Sequence, residues 1–396
     1  MAIVPVTALD LEGQRVLVRC DFNVPLAQSD GGARKISDPA RIDASLPTIR
    51  HILGAGGIAI LCSHLGRPKE RSPEFSLKPV AEYLSIALGR KVALAPDCIG
   101  DVTGKMIAAL KPGEAILLEN LRYHAEEEAN DRDFSHELAR GKTVYVNDAF
   151  GSAHRAHAST VGVTKFLPER AAGFLMLREL EALRAVTENP ERPMVAILGG
   201  AKVSDKIGLI KHLLPRVDSI LIGGAMAYTF LRAQNIATGS SRVEEDKLNL
   251  ARELLTLAAK NNVSIELPSD HVIAPAPEAG AITGTVREIP AGMMALDIGP
   301  ATIERFKTAI LPAKTVIWNG PLGFFEIPEF AHGTLAVGEA LANQSGTKSI
   351  LGGGDTAAAV AGQQWASRFT HISTGGGATL EFLEGRELPG VKALER

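Results

Sequence analysis

With 396 residues, 45% hydrophobic and 22% charged, the chain has the composition of an ordinary globular protein and length enough for two domains. Its formal net charge is −3; residues 1–184 hold 23 Lys+Arg against 23 Asp+Glu, which leaves 19 against 22 in the remainder. The absence of a basic stripe argues against nucleic-acid binding, and three cysteines without paired spacing (Cys20, Cys62, Cys98) argue against a disulfide or zinc framework. No 18-residue apolar run offers a membrane span and no basic-then-apolar leader opens the chain, so a cytoplasmic protein is expected.

Apolar runs of four to eight residues alternate with Ala/Leu-rich amphipathic stretches along the whole chain. That alternation predicts βαβ units, hence parallel sheets covered by helices on both faces. Runs such as IAIL, AILL and VAIL lack polar alternation, as strands buried on both sides do.

In the first half the runs end in polar side chains: VLVRCDFN (16–23), IAILCSHLGR (58–67), AILLENLR (115–122) and TVYVNDAFGSAHR (143–155). Asp21, Asn23, His64, Arg67, Arg122, His154 and Arg155 lie at or just beyond these ends, and Arg41 opens the helix-like RIDASLPTIR. A lone loop arginine is usually a solvated charge. Three strand ends carrying Arg67, Arg122 and Arg155 point instead to a small, highly charged anion gripped by guanidinium forks. His51, His124, His136 and His157 have no ligand-like spacing and read as structural, as do Cys20 and Cys62 at their strand ends.

The stretch FLMLRELEALRAVTENP (174–190) has leucines at 177, 180 and 183 and ends at Asn189-Pro190. It predicts a connecting helix between a domain of residues 1–173 and one of 191–380, with a polar tail at 381–396 free to fold back on either.

In the second half, five runs end in glycine instead: VAILGG (195–200), SILIGG (219–224), TVIWNG (315–320), KSILGGG (348–354) and HISTGGG (371–377). Glycine at a strand's carboxyl end allows close approach of a ligand to backbone N–H groups, and a following helix turns its positive end there. Five such ends predict a phosphate-binding rim. If a helix starts near Val203, Lys202 and Lys206 stand one turn apart beside that phosphate. Gly352-Gly353-Gly354-Asp355-Thr356 offers amides, a hard oxygen for Mg²⁺ on Asp355 and a hydroxyl for phosphate on Thr356, a reading favoured over Asp355 as a simple cap of the following helix. Glu326, after the rigid Trp318-Asn319-Gly320-Pro321 turn, reads either as a ribose ligand or as an ordinary surface carboxylate. A G-x-G-x-x-A match (Gly352, Gly354, Ala357) lacks the acidic residue about 20 positions on that a dinucleotide fold needs.

Taken together, DFNVP (21–25), RIDASLPTI (41–49), SHLGRP (63–68), ENLRYH (119–124), NDAFGSAHRAH (147–157), GGAKVSDKI (199–207), WNGPLGFFE (318–326), GGGDTAAAV (352–360) and STGGGATLE (373–381) resemble the phosphoglycerate kinase family along nearly the whole chain. Cys20, where an aliphatic residue is more usual, and Lys69-Glu70, in place of Lys-Gly, are small departures. The resemblance implies two Rossmann-like three-layer α/β domains joined by a hinge helix, acting as a cytoplasmic monomer in glycolysis. It implies reversible phosphoryl transfer between 1,3-bisphosphoglycerate and ADP, giving 3-phosphoglycerate and MgATP. Carried across, Asp21, Asn23, Arg41, His64, Arg67, Arg122 and Arg155 would hold the phosphoglycerate. Gly200, Ala201, Lys202, Gly223, Asn319, Glu326 and Gly353, Gly354, Asp355 and Thr356 would hold the nucleotide, with Leu296 near the adenine and Asp355 on Mg²⁺.

A carboxylate acceptor is already ionised at pH 7 and needs no general base, in keeping with the lack of any nucleophile–base pair in the sequence. Catalysis then falls to alignment and charge neutralisation, expected from Arg41, Lys206, Mg²⁺ and the amides of Gly375, Gly376 and Gly377. Two other readings stay open: a nicotinamide dehydrogenase, which requires a ribose-binding acid, and a non-catalytic phosphometabolite sensor, which would bind both ligands without turnover.

Overall fold

A computed structural model describes residues 3–28, 34–281 and 283–395. Two compact units result, Met1–Leu180 with Glu387–Arg396 and Glu181–Arg386.

The first unit is built on six strands: β1 (Arg15–Arg19), β2 (Ile58–Cys62), β3 (Val92–Leu94), β4 (Ala115–Leu117), β5 (Val144–Asn147) and β6 (Arg170–Ala172). They pair in the order β3-β4-β2-β1-β5-β6, all parallel. The apolar runs become these strands because helices cover both faces: all five residues of β2 and all four of β5 are buried. The central strand β1 places Arg19 opposite Cys62 and Asn147, so the polar residues that follow β1, β2 and β5 leave the same edge of one sheet. Helix α1 (Ala40–Gly54) carries Arg41 in its first turn.

Helix α2 (Phe174–Thr187) is the predicted connector, and the division between units falls inside it, at Leu180/Glu181. Its start is tied down within the first unit. The Leu175 and Met176 amides donate to Asp148 Oδ1 at 2.9 and 3.2 Å, and the Phe174 amide donates to Thr48 Oγ1 at 2.9 Å. Its end is tied within the second, where Arg216 Nε donates to Thr187 O at 2.7 Å. The tail joins the first unit: Gly390 N donates to Ala153 O at 2.8 Å and Arg170 to Glu395 O at 2.9 Å.

The second unit repeats the scheme with β7 (Met194–Leu198), β8 (Ser219–Ile222), β9 (Ser264–Glu266), β13 (Thr315–Asn319), β14 (Lys348–Gly352) and β15 (His371–Ile372), ordered β9-β8-β7-β13-β14-β15 and parallel throughout. A small antiparallel sheet, β11-β10-β12 (Gly284–Val286, His271–Ala274, Met294–Ile298), accompanies it and has no counterpart in the sequence reading. All five glycine-ended runs are strands of the one large sheet. The fold is thus α/β, with two parallel sheets flanked by helices.

The glycines themselves do other work than expected. Gly199 N donates to Asn319 O, Gly200 N to Pro321 O, Gly223 N to Leu198 O and Gly224 N to Leu322 O, all within 2.8–3.0 Å. Buried amides at a sheet edge must find partners, and here neighbouring strand ends supply them. These glycines allow backbone to pack on backbone: a Cβ on Gly199 would lie 2.0 Å from Pro321 O, and one on Gly320, at φ +100°, 2.2 Å from Gly199 O. Their amides are not an anion rim.

Candidate active site

In the first unit, the ends of β1, β2 and β5 and the loop after β4 converge on a cationic cluster. Arg41 reaches from α1 to Asp21 Oδ2 at 3.2 Å and to Asn23 O at 3.3 Å. Asn23 Oδ1 accepts from Gly66 N at 2.8 Å, and Arg122 donates to Gly66 O at 2.6 Å. The SHLGRP loop is therefore pinned from both sides, with Arg67 left exposed at its tip. The Arg122 side chain is only 6% exposed; Glu128 Oε1 lies 3.1 Å from its Nε, off the N–H direction. Arg155 Nε donates to His154 Nε2 at 3.2 Å.

The electrostatics bear the mark of crowded positive charge. Burial lowers the Arg122 pKa, and Arg155, Arg19 and Arg67 lower it further against the pull of Glu128. His64 is pushed well below the ordinary histidine range by burial and then by Arg19, Arg122, Arg155 and His157, so it is neutral at physiological pH. Burial likewise brings His157 down to about 4. The seven expected phosphoglycerate contacts lie at or beside these strand ends, and the crowding of Arg122 by Arg155, Arg19 and Arg67 is what an anion would relieve.

Sequence reasoning passed over Arg19. It is fully buried at the end of β1 and touches His64. An arginine in the run VLVRC, otherwise apolar and reading as a doubly covered strand, was the available signal.

The groups read as structural have partners within the first unit. The three cysteines are free and buried, with Cys62 raised by burial to about 12. His51 and His136 stack edge-on against Phe174 and Phe166, His124 pairs with Asp97 at 2.7 Å, and His157 Nδ1 lies 3.7 Å from Glu127.

The second unit contains a cavity of about 320 Å³ lined by Gly200, Ala201, Leu296, Glu326 and Asp355 from the expected set. Phe324, Phe325, Met294, Pro277 and Arg242 also line it and were not foreseen. An apolar slot with two carboxylates at its rim suits a flat heteroaromatic base carrying a polar tail. A larger cavity of about 770 Å³ in the first unit, around Arg34, Arg71, Glu74 and Tyr123, is lined by none of the expected contacts.

Several expected contacts differ in detail. The segment after Gly200 begins as a 3₁₀ turn (Ser204–Lys206), and α3 (Ile207–Leu213) starts only at Ile207. Glu244 already caps this start, accepting from Val203 N at 2.6 Å, Ser204 N at 3.2 Å and Ser204 Oγ at 2.6 Å. Lys202 is exposed outside the cavity wall, whereas Lys206 is half-buried with its ammonium on Asn319 Oδ1. Burial lowers the Lys206 pKa, opposed by Asp205, Asp355 and Glu384. The Thr356 hydroxyl is not free for phosphate: fully buried, it accepts from Gly320 N at 2.6 Å and donates to Gly352 O at 2.9 Å. Gly223 is buried under Leu322 and lies off the cavity wall. Gly375 N is spent on Ser373 Oγ at 3.2 Å, while Gly376, at φ +52°, caps α5 (Gly377–Leu383) without a side-chain partner. Gly353, at φ +96°, stands in the same position before α4 (Gly354–Val360).

Asp355, in the first turn of α4, is solvent-exposed and enters no ion pair among the described residues. One uncommitted carboxylate beside a nucleotide-sized cavity fits Mg²⁺, which takes few protein ligands and fills its shell with phosphate oxygens and water.

A two-unit α/β fold with a cationic cluster on one sheet edge and a nucleotide-sized cavity in the other unit points to a class, the phosphotransferases that move a phosphoryl group between a nucleotide and a small acid. The phosphoglycerate kinase family model matches residues 6–386. Phosphoglycerate kinase from Anaeromyxobacter sp. is 52% identical over 100% of both chains, and that from Chlorobium phaeovibrioides 54% over 98% of each. The solved phosphoglycerate kinase of Coxiella burnetii superposes with a TM-score of 0.90 at 39% identity, covering 99% of each chain. The chain belongs to the phosphoglycerate kinase family. Its reaction is the reversible glycolytic transfer of a phosphoryl group between 1,3-bisphosphoglycerate and ADP.

Proposed function

We propose that Asp21, Asn23, Arg41, His64, Arg67, Arg122 and Arg155 hold the phosphoglycerate, and that the cavity around Leu296 and Glu326 takes the adenosine of ADP or ATP. The supporting observation is the buried like-charge cluster: Arg122 and His64 both have depressed pKa values partly because other cations crowd them. Such a cluster is stabilised when a polyanion fills it.

On the nucleotide side, Gly353 and Gly354 open α4 toward the phosphates and Asp355 would hold Mg²⁺. When bound, that ion neutralises phosphate oxygens and orients them for in-line displacement. Gly200 and Ala201 shape the cavity by their small size. Asn319 keeps Lys206 in place rather than touching the nucleotide, and Lys202 meets the phosphates only from the outer rim.

Transfer then runs without a general base, because the acceptor is a carboxylate. Arg41, Lys206 and the amides of Gly376 and Gly377 neutralise the equatorial oxygens of the migrating group. The donors come from two units, so a hinge within residues 174–190 has to bring residues 1–173 and 191–380 together and exclude water from the acyl phosphate. Of the tail 381–396, the part from Glu387 onward stays with the first unit during this movement, while 381–386 belongs to the second. The enzyme acts as a monomer in the cytoplasm, with no nucleic-acid or membrane partner.

The test is a coupled assay of ATP-dependent phosphorylation of 3-phosphoglycerate on wild type and Arg122→Ala. Loss of at least tenfold in 3-phosphoglycerate affinity with unchanged nucleotide affinity supports the assignment; unchanged affinity for both ends it.

A further inference from the structure

Arg19 stands where a globular protein rarely buries a guanidinium. It is fully buried, and no carboxylate among the described residues pairs with it directly. Its Nε donates to Ser159 Oγ at 2.8 Å, and Ser159 donates in turn to Glu127 Oε1 at 2.5 Å, with the Ser159 amide on Glu127 Oε2 at 2.9 Å. Its remaining N–H groups reach the Cys20 carbonyl, Ser152 Oγ at 3.5 Å and His64 Nδ1 at 3.1 Å. Guanidinium has only donors, so the contact with Nδ1 is a hydrogen bond only if that nitrogen keeps its lone pair.

We propose that Arg19 is a positioning residue for His64: its guanidinium, held by the Ser159–Glu127 relay, fixes the neutral imidazole as the Nε2–H tautomer, so that the ring offers the bound anion a donor at Nε2 and never a lone pair. This rests on the reading of His64 as a phosphoglycerate ligand. The groups facing the ring are Arg19 from β1, Arg122 after β4, and Arg155 and His157 after β5. All oppose a second proton on it, and the buried acid behind Arg19, Glu127, is occupied by Ser159. A histidine that can neither charge nor change tautomer contributes the same hydrogen bond across the physiological pH range.

The experiment is long-range ¹H–¹⁵N NMR of the histidine rings in the full-length wild type, with His64 assigned by comparison with His64→Gln. The expected spectrum has His64 Nδ1 unprotonated and Nε2 protonated from pH 8 to pH 5.5. An Nδ1–H, averaged or titrating ring overturns the proposal, and needs no variant that might misfold. Arg19→Lys, which keeps the charge but loses the fork, is expected to give an averaged ring, to weaken 3-phosphoglycerate binding about tenfold, and to leave the KM for MgATP unchanged. An Arg19→Lys protein whose ring stays in the Nε2–H form also overturns it. If His64→Gln leaves 3-phosphoglycerate affinity untouched, the ligand reading of His64 falls, while the tautomer result still stands on its own.

Discussion

At the scale of single residues, what matters is which charges are free and which are spent. Lys206 and Lys202 look equivalent in sequence, four positions apart, yet only Lys206 is half-buried and held, on Asn319. Lys206→Ala is expected to lower kcat by roughly two to four orders of magnitude while changing the KM for 3-phosphoglycerate much less. Lys202→Ala should cost about tenfold or less in nucleotide affinity and little in kcat. Steady-state kinetics on the two variants check both; equal losses would mean the burial difference has no catalytic meaning. Thr356 gives a second contrast. Its hydroxyl joins Gly320 to Gly352, so Thr356→Val should destabilise the second unit by about 1–3 kcal/mol, through the unsatisfied Gly320 amide, before it affects turnover. Denaturant melts set beside kinetics separate the two effects.

For the elements, the decisive features lie where strands and helices end. Asp148 receives the first amides of α2, and burial pushes its pKa up to about 6, against the Thr48, Met176 and Leu175 bonds that lower it. An acid raised above its unfolded value of about 3.9 favours folding at low pH. That contribution is complete below about pH 4 and is lost as pH rises through about 6, an effect of order 3 kcal/mol. Asp148→Asn keeps an acceptor for α2 and cannot ionise, so the stability difference between variant and wild type should grow in the variant's favour from pH 4 to pH 7. A difference that stays flat with pH would rule out Asp148 as the titrating group. The glycine ends of the second sheet make a different prediction. Gly199→Ala forces a Cβ into the Pro321 carbonyl and should destabilise by about 3 kcal/mol or more, whereas Gly354→Ala meets no atom within 4 Å and should fold normally. Gly354→Ala is expected to weaken ATP binding alone, since the added methyl faces the phosphates in the proposed site; calorimetric titration reads this directly.

For the whole molecule, the proposed reaction draws donors from both units and so requires both substrates before the competent state forms. X-ray scattering should therefore show compaction with 3-phosphoglycerate and a non-hydrolysable ATP analogue together, and less with either alone. A radius of gyration that is the same in all four conditions would remove the hinge at residues 174–190 from the mechanism.

Much of this was already written in the sequence. Period, length and strand-end composition specify parallel α/β units, because burial on two faces permits only apolar runs and because polar residues needed by a ligand must wait until the strand ends. Strand ends point to Asp21, Asn23, His64, Arg67, Arg122 and Arg155, a helix start to Arg41, and the glycine-rich turns to Asp355 and Glu326, whereas Leu296 comes only from the family resemblance. What the chain alone did not determine was the use of each polar group. Whether an amide at Gly199, a hydroxyl at Thr356 or a lone pair on His64 is available depends on a partner far along the chain, such as Asn319, Gly320 or Arg19. A buried hydrogen bond depends on distance and direction in space, and only the tertiary packing sets those.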